Sequence, residues 1–278
     1  MKAVISLSGG LDSTCLLMHL LASGYDEIRA YSFDYGQKHS IELEKVKNNI
    51  AFLQEKGFNV EHQIINVRDV FSDSASTLHE NGGEIPKGHY QDSTMKSTVV
   101  ENRNVIFSAI IYGKALSWAN KTGDNVVITL GIHAGDHAIY PDCTPESHNI
   151  AKYLFKISNW NSDKVDYIAP FENIDKGAVL GAGLAAMKRL KIKKADMRTV
   201  LANTHTCYSP DEEGRSCGEC GSCRERLEAF EKNNMEDPIE YAPKRLTEQM
   251  MDSVIEEALA EMKKPKNKPR KTKKSTAN

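Results

Sequence analysis

The feature that most constrains this chain is a glycine-rich loop that directly follows a short apolar segment near the N-terminus. Residues 2–7 have the composition of a short buried strand, and apolar residues at helical spacing predict a helix over residues 13–22. Between them stands the loop Ser8-Gly9-Gly10-Leu11-Asp12-Ser13-Thr14. A strand that passes through such a loop into a helix predicts an α/β sheet with a ligand outside the carboxyl end of the strand.

The loop has the side chains and backbone of a phosphate site. Gly9 and Gly10 let the backbone turn tightly and approach a ligand without a Cβ in the way. The N–H groups at the helix N-terminus attract an anion, and the hydroxyl groups of Ser8, Ser13 and Thr14 add donors. The Gly-Lys-Ser/Thr ending of a Walker A loop is missing. A tight turn without a ligand is the alternative, but the complete seven-residue string favours a pyrophosphate site.

Strand and helix patterns alternate along the rest of the chain. Further strands are predicted at residues 28–33, 60–65, 125–130 and 165–169, and helices at residues 39–54, 104–120, 145–157 and from about Asp175, which is suited to cap its helix. This alternation predicts a doubly wound, mostly parallel, Rossmann-like α/β sheet with helices on both faces. Residues 72–97 form a polar stretch that is long for a structureless loop, and such stretches are usually lids, binding loops or disordered.

These patterns predict four parts of the chain. Residues 1–200 form the α/β domain, and residues 201–243 form a small cysteine-rich, zinc-binding region. Residues 244–262 carry apolar side chains at helical spacing and are predicted to form an amphipathic helix. Residues 263–278 are rich in lysine and proline and are predicted to be disordered.

The formal net charge of −2 hides an acidic body and a basic tail. Residues 263–274 hold eight Lys or Arg and no acid, and without them 28 basic side chains face 38 acidic ones, a balance of −10. An acidic body is unsuited to general nucleic-acid binding, although the basic tail could make a weak contact with nucleic acid. No apolar run approaches the roughly 20 residues of a membrane helix, and the N-terminus lacks a signal-peptide pattern. We therefore expect a soluble, cytoplasmic protein.

Four of the six cysteines fall within 17 residues, at Cys207, Cys217, Cys220 and Cys223. In a cytosolic chain such a cluster indicates a metal more often than disulfides. Four thiolates complete a tetrahedral zinc site with no open position, so the predicted Zn²⁺ is structural. An iron–sulfur cluster and redox-active thiols are the alternatives. The two remaining cysteines, Cys15 and Cys143, are predicted to be buried small residues rather than nucleophiles.

Short motifs follow the loop in a fixed order. They are Phe33-Asp34-Tyr35-Gly36-Gln37-Lys38-His39, Arg103-Asn104, Gly131-x-x-Ala134-x-Asp136-x-x-x-Tyr140-Pro141-Asp142-Cys143, Lys176, Thr206-Cys207-Tyr208, the cysteine cluster with Arg226, and Asp237-Pro238. The loop alone resembles the pyrophosphate loop of the ATP pyrophosphatases. The whole set, which runs from about residue 2 to residue 243, closely resembles the 7-cyano-7-deazaguanine synthase family of the queuosine precursor pathway.

The resemblance implies an ATP-dependent C–N ligase that makes a nitrile. ATP would adenylate the carboxylate of 7-carboxy-7-deazaguanine, and ammonia would displace AMP to give the amide. A second ATP would adenylate the amide oxygen, and loss of AMP would give 7-cyano-7-deazaguanine. The expected partners are therefore this small-molecule substrate, ammonia and ATP with its Mg²⁺, with no membrane. Whether the chain forms a homodimer is left open by the sequence.

The resemblance also implies roles for individual residues. Those expected to bind the nucleotide are Ser8, Gly9, Gly10, Leu11, Asp12, Ser13, Thr14, Asp34 and Gln37. Those expected to act in catalysis are Asp12, Ser13, Arg103, Asp136 and Lys176. Arg103 and Lys176 would contact phosphate or carboxylate groups, and Asp136 would position Mg²⁺ or ammonia. The alternative places Arg103 on a helix surface and Lys176 in an exposed first turn.

The chain departs from the family pattern at positions expected to surround the substrate. They are His133, His137, Ala138, Ile139, Thr144, Ser147 and His205. These departures leave open a variant that stops at 7-amido-7-deazaguanine. A related enzyme that modifies tRNA directly is a second alternative, disfavoured by the motif at residues 140–143 and the acidic body. A zinc-bearing nucleic-acid-binding module is disfavoured as well, because acidic residues offset the few arginines near the cysteines.

Overall fold

The computed structural model describes residues 1–87 and 93–243, and a parallel β-sheet lies at its centre. Within the described residues the sheet has five strands, which are β1 Lys2–Ser6, β2 Glu27–Asp34, β3 Val60–Asn66, β4 Val126–Leu130 and β5 Val165–Ile168. Their order is β3-β2-β1-β4-β5, and every neighbouring pair is parallel. The predicted doubly wound, parallel α/β class is confirmed.

The strand order reverses beside β1, which places the first loop at the switch point of the sheet. In β1, Ser6 is in register with Tyr31 of β2 on one side and with Leu130 of β4 on the other. The chain leaves these three strands at the same edge, and ligands of open α/β sheets bind in the crevice at that edge. The loop that sequence analysis singled out therefore lies where the topology creates a binding crevice.

Seven helices cover the two faces of the sheet in the described part of the chain. They are α1 Leu11–Ala22, α2 Ile41–Glu55, α3 Arg103–Thr122, α4 Pro145–Ile157, α5 Lys176–Arg189, α6 Lys194–Ala202 and α7 Gly221–Lys232. Successive residues of β1 point to opposite faces of the sheet and pack in two separate apolar clusters. Val4 packs on the face covered by α3 and α4, whereas Ala3 and Ile5 pack on the face covered by the other five helices. The aromatic rings of Phe33 and Phe107 stack at 3.9 Å and fix α3 against β2.

Helices α1 and α5 approach each other closely, which brings their N-termini to the same crevice. A Cβ at Gly183 of α5 would lie 2.5 Å from the sulfur of Cys15 on α1, so only glycine permits this distance. Cys15 is 1% exposed, which confirms that it is a buried small residue. The close packing matters for the site because α1 begins at the glycine-rich loop and α5 begins at Lys176.

Several element predictions are confirmed and others need correction. Helix α4 has the predicted bounds, and Asp175 caps α5 by accepting a hydrogen bond from the backbone N–H of Ala178 at 2.8 Å. Helix α1 begins at Leu11, two residues before the predicted start, because the loop turns directly into the helix. Helix α6, which starts at the last of the five basic residues at 188–194, was not predicted.

The chain divides into two compact units, Met1–Ala242 and Pro243–Asn278. The predicted helix at residues 244–262 and the basic tail at residues 263–278 lie outside the described residues, as do residues 88–92 of the long polar stretch. The four-part division of the chain stays a prediction. No helix within residues 1–87 and 93–243 is both long and apolar enough to cross a bilayer.

Candidate active site

The loop after β1 forms one end of a cavity of about 180 Å³. Gly9 has a φ of +91°, and a Cβ there would lie 2.3 Å from the carbonyl oxygen of Glu42, so this position requires glycine. Gly10 precedes α1 without a side-chain cap, which leaves the first N–H groups of the helix to a ligand. The hydroxyl groups of Ser8 and Ser13 lie 3.0 Å apart at the cavity wall.

The structure separates the loop residues that face the cavity from those that support the loop. Among the loop residues, those lining the cavity are Ser8, Gly10, Asp12 and Ser13. Leu11 is completely buried in the apolar cluster between α1 and the sheet. Thr14 is 3% exposed and lies outside the cavity lining. The predicted contacts of Gly9, Leu11 and Thr14 with a nucleotide stay predictions, and any contact by Leu11 would have to come from its backbone.

A buried ion-pair cluster lies beside the loop, with Lys176 at its centre. The Nζ of Lys176 donates to Oε2 of Glu225 at 2.6 Å and lies 3.3 Å from Oδ2 of Asp12. Burial by itself lowers the pKa of Lys176, but the carboxylates of Asp12, Glu225 and Asp136 outweigh it and hold the pKa well above its usual range. Lys176 is 5% exposed, which corrects the alternative of an exposed first turn. Glu225, from α7, is a site residue that sequence analysis missed.

His133 and Asp136 complete the cluster from the segment after β4. They cap the turn Ala134–Ala138 reciprocally, because Nδ1 of His133 accepts from the N–H of Gly135 and Oδ2 of Asp136 accepts from the N–H of His133, both at 3.0 Å. An accepting Nδ1 places the proton of a neutral ring on Nε2. That Nε2 lies 3.7 Å from Asp136, 3.9 Å from Asp12 and 3.9 Å from Glu225. Three carboxylates thus converge on one lysine and one histidine.

The opposite end of the cavity is aromatic and carries Arg103. The Nη1 of Arg103 donates to the hydroxyl of Tyr35 at 3.1 Å, and its guanidinium lies 6.0 Å from the ring centre of Tyr140. Phe107 and Tyr208 line the same end. Arg103 therefore faces the cavity, which corrects the alternative of a helix-surface residue. This end offers one fixed positive charge among flat apolar rings.

The start of α3 is tied to the segment Pro141–Cys143. The backbone N–H of Asn104 donates to Oδ2 of Asp142 at 2.9 Å, and its side-chain amide donates to the sulfur of Cys143 at 3.2 Å. Cys143 is 3% exposed, as predicted for a buried residue. These bonds tie the start of α3, which carries Arg103, to the segment that follows Tyr140.

Asp34 and Gln37 do not reach the cavity in the structure. Oδ1 of Asp34 accepts from Nε of Arg68 at 2.9 Å and from the N–H of Gly36 at 3.2 Å. The amide nitrogen of Gln37 donates to Glu42 at 3.0 Å, and its oxygen accepts from the N–H of Tyr35 at 2.9 Å. Their local hydrogen bonds hold the backbone after β2, so neither lies in the cavity lining and their predicted contact with the nucleotide stays a prediction.

Glu42, in the first turn of α2, lines the cavity and was also missed. Burial raises the pKa of Glu42 to about 8, although the hydrogen bond from Gln37 and the charge of Arg103 oppose this. His39 Nε2 lies 3.6 Å from the Glu42 carboxyl, and burial, with help from His205 and Arg103, lowers the pKa of His39 to about 3. At neutral pH the histidine is therefore uncharged and the carboxyl holds its proton, so the pair is not an ion pair.

Glu42 should make the folded chain less stable as the pH rises. Between its ordinary pKa of 4.5 and the folded value of about 8, the folded chain holds a proton that the unfolded chain has released. Wild type should therefore lose roughly 2 kcal/mol more stability than Glu42→Gln between about pH 6 and about pH 9. Urea unfolding of both proteins at the two pH values measures this difference. Equal losses in both proteins would show that Glu42 ionises normally.

The four clustered cysteines come together at the rim of the site. One ligand atom from each of Cys207, Cys217, Cys220 and Cys223 lies within 4.8 Å of the others. Backbone N–H groups donate to the sulfur of Cys207 from Ser209 and Cys217, and to the sulfur of Cys217 from Glu219 and Cys220, at 3.2–3.4 Å. Such donors stabilise negatively charged sulfur, so the group fits a metal ion held by four thiolates.

The cysteine region forms a wall of the cavity. His205, Thr206 and Tyr208 line the cavity on either side of Cys207, and the N–H of His205 donates to the carbonyl of Gly9 at 2.8 Å. Completely buried Arg226 locks this region by binding Asp237 through two nitrogens, at 2.7 and 2.9 Å, and Thr204 at 2.7 Å. The cysteine cluster and the glycine-rich loop are thus neighbours.

The departures from the family pattern do not surround the cavity as expected. Of the seven positions only His205 lines it. His133 belongs to the ion-pair cluster, Ile139 is buried in the core, and Thr144 caps α4 by accepting from the N–H of Ser147 at 3.3 Å. His137 and Ala138 lie in the turn Ala134–Ala138. The expectation that the departures surround the cavity is therefore wrong for six of the seven positions, and their effect on how the substrate fits stays a prediction.

A parallel sheet with a glycine-rich loop at its switch point, beside a buried lysine, has the features of an α/β protein that binds a phosphate-bearing ligand. A family model described as "Queuosine biosynthesis protein QueC" matches residues 2–234, and the chain belongs to this family. The 7-cyano-7-deazaguanine synthase of Marinomonas sp. is 41% identical over 242 residues, which cover 86% of this chain and 98% of that protein. The 7-cyano-7-deazaguanine synthase of Methanoregula boonei is 39% identical over 243 residues, which cover 87% and 100%.

Among solved structures, the U34-tRNA thiolase NcsA from Methanococcus maripaludis with its [4Fe-4S] cluster is similar to this chain at 13% identity and a TM-score of 0.33. The match covers 96% of this chain and 74% of that one. At this TM-score the likeness carries no argument about fold or function.

Proposed function

We propose that this chain makes 7-cyano-7-deazaguanine from 7-carboxy-7-deazaguanine, ammonia and two ATP. In the first half, the carboxylate attacks the α-phosphorus of ATP, pyrophosphate leaves, and ammonia displaces AMP to give the amide. In the second half, the amide oxygen attacks a second ATP in the same way, and loss of AMP and of the two protons on nitrogen gives the nitrile. The family and the names of its relatives support this reaction.

The single observation that carries the proposal is that one cavity joins two chemically different ends. One end has the nucleotide loop and the ion-pair cluster, and the other has Arg103 and a set of aromatic rings. Adenylation needs the substrate oxygen held in line with the α-phosphorus of ATP, and a shared cavity brings the two reactants together. Either end alone would bind a ligand without a reaction partner.

The loop end supports ATP binding and pyrophosphate release. The uncapped N-terminus of α1 and the protonated Lys176 supply positive potential for the phosphates. Oδ1 of Asp12 is buried and accepts no hydrogen bond from any residue that the structure describes. We propose that this oxygen contacts the hydrated Mg²⁺ that accompanies ATP, because Mg²⁺ prefers oxygen ligands. Asp136 and Glu225 keep Lys176 oriented toward the phosphates.

The aromatic end supports binding of the heterocyclic substrate. Arg103 would attract its carboxylate, and the fixed hydrogen bond to Tyr35 limits the positions that the guanidinium can take. The rings of Phe107, Tyr140 and Tyr208 offer flat apolar faces against which a bicyclic base can pack. In the first step Arg103 would hold one carboxylate oxygen while the other attacks ATP.

We also propose that the four cysteines hold Zn²⁺ as a structural ion. All four ligands come from the protein, and Zn²⁺ with four thiolates has no open position for chemistry. The ion, when bound, would fix the wall formed by His205, Thr206 and Tyr208. Metal binding requires the cysteines to be reduced, which supports a cytoplasmic location.

The placement of the departures supports the complete reaction rather than a variant that stops at the amide. Six of the seven positions lie outside the cavity lining, so they do not face the space in which the carboxylate and amide intermediates would bind. The reading as a tRNA-modifying enzyme is not favoured, because the family and relatives are named for synthesis of a small molecule.

A release assay tests the proposal against the other readings. ATP is mixed with 7-carboxy-7-deazaguanine and ammonium without RNA, and pyrophosphate and AMP are measured against a reaction that lacks the deazaguanine. The proposal predicts release of both products only in the complete mixture. Release that requires tRNA, or no release at all, would overturn it.

A further inference from the structure

One side of the cavity carries polar side chains that the proposed adenylation does not use. We name Glu42, His39 and Thr206 the polar wall, because all three line the cavity and all three are buried. Gly9 connects the two segments that supply them. Its carbonyl accepts from the N–H of His205 at 2.8 Å, and a Cβ on Gly9 would lie 2.3 Å from the carbonyl oxygen of Glu42.

The polar wall has hydrogen-bonding capacity that the described part of the chain leaves unused. Nδ1 of His39 and Oγ1 of Thr206 are buried and have no hydrogen-bond partner within residues 1–87 and 93–243. Oε2 of Glu42 lies 3.6 Å from Nε2 of His39, which is longer than a hydrogen bond. Because buried polar atoms are normally hydrogen-bonded, unpaired polar atoms along one side of a cavity indicate a polar ligand there.

The carboxyl of Glu42 is held in a defined orientation. The side-chain amide of Gln37 donates to Oε1 of Glu42 at 3.0 Å, and its oxygen accepts from the backbone N–H of Tyr35 at 2.9 Å. The rings of His39 and Tyr208 lie 5.8 Å apart, centre to centre. A flat base packed against Tyr208 would therefore lie beside the polar wall.

We propose that the polar wall recognises the amino-pyrimidinone edge of the substrate, and that Glu42 selects a guanine-type base. In 7-carboxy-7-deazaguanine this edge has a ring N–H beside a 2-amino group, with a carbonyl oxygen on the other side of the ring N–H. The two oxygens of a carboxylate match the two adjacent donors, and an N–H at Nδ1 of His39 or the hydroxyl of Thr206 matches the carbonyl. The inference rests on the proposed reaction and adds the group that identifies its substrate.

The charges around Glu42 place the polar wall on the substrate side of the cavity. Burial raises the pKa of Glu42 to about 8, against the hydrogen bond from Gln37 and the charge of Arg103. Arg103 is the residue to which the proposed function assigns the substrate carboxylate. N–H donors stabilise the charged form of a carboxyl group, so Glu42 would release its proton to solvent as the base binds.

Discrimination between two bases tests the inference. AMP release is measured with 7-carboxy-7-deazaguanine and with 7-carboxy-7-deazahypoxanthine, which lacks the 2-amino group. Wild type should show a kcat/KM about 10- to 100-fold lower for the second base, the effect of one charge-assisted hydrogen bond. Glu42→Gln should lower kcat/KM for the first base by a similar factor and reduce the discrimination to less than about 3-fold, with KM for ATP unchanged.

Glu44→Gln is the matched control. Glu44 is exposed on the same helix and lies outside the cavity lining, so its replacement should leave the rates with both bases unchanged. Glutamine has the shape of glutamate, and its oxygen can still accept from Gln37, so we expect Glu42→Gln to fold. The comparison of the two bases in wild type tests the inference even if that variant unfolds.

Three results would overturn the inference. One is an equal kcat/KM for the two bases in wild type. Another is unchanged discrimination in folded Glu42→Gln. The third is a raised KM for ATP in Glu42→Gln with unchanged discrimination, which would assign the polar wall to the adenine of ATP. No AMP release from wild type with 7-carboxy-7-deazaguanine would instead contradict the proposed reaction, and the inference with it.

Discussion

Asp12→Asn should lower the rate of AMP formation about 100- to 1,000-fold while the chain stays folded. The change removes the negative charge that lies 3.3 Å from Lys176 and leaves an uncharged amide beside the position that we assign to hydrated Mg²⁺. Lys176 keeps its shorter bond to Glu225 at 2.6 Å, so no buried cation is left unpaired. The measurement is the initial rate of AMP release with carboxy-deazaguanine and ammonium, together with the circular dichroism spectrum.

Asp69→Asn is the control for this substitution. Asp69 is exposed and lies outside the cavity lining, so the loss of its charge should leave the rate of AMP formation unchanged. A well-folded Asp12→Asn protein that forms AMP at the wild-type rate would contradict the role assigned to the loop. An equal loss in both variants would show a general effect of net charge.

Cys220→Ser should remove the metal and lower the free energy of unfolding by roughly 3–5 kcal/mol. Cys220 is 1% exposed and supplies one of the four sulfurs, and a hydroxyl is a poor substitute for thiolate. Because Thr206 and Tyr208 flank Cys207 and line the cavity, turnover should fall with the metal content. Elemental analysis and urea unfolding of wild type and variant measure both effects.

Cys15→Ser provides the matched control for metal content. Cys15 is equally buried, but it lies between α1 and α5, away from the other sulfurs. This variant should lose some stability and still hold one zinc per chain. Iron in place of zinc in wild type, or a well-folded wild type without metal, would contradict the proposed structural ion.

The sequence predicted the parts of the fold that depend on local patterns. Alternating strands and helices were enough to infer a parallel α/β sheet, because parallel strands need helical crossovers. The strand order was beyond reach, since no local pattern states which strands become neighbours. Helix α6 was missed because it is only nine residues long and directly follows the basic residues at 188–194, although its Val200 and Leu201 are fully buried.

Site residues were predicted where they form a continuous motif, and they were missed where residues far apart in the sequence come together in the fold. The loop residues are adjacent in sequence, so their chemistry was visible at once. Glu225 forms an ion pair with Lys176, which lies 49 residues earlier in the sequence, and no short motif predicts such a pair. Burial of Lys176 follows from the same long-range packing, because α7 covers the start of α5. Asp34 and Gln37 were placed at the nucleotide by resemblance, but their side chains are occupied by local bonds.

The number of AMP molecules formed per product molecule tests the proposed reaction most directly. Enzyme is supplied with 7-carboxy-7-deazaguanine, ammonium and excess ATP, and mass spectrometry follows carboxylate, amide and nitrile over time while AMP is counted. We expect the amide to appear first and then to be consumed, with the nitrile accumulating at two AMP per molecule. Accumulation of the amide at one AMP per molecule, with purified amide left unconverted, would contradict the account.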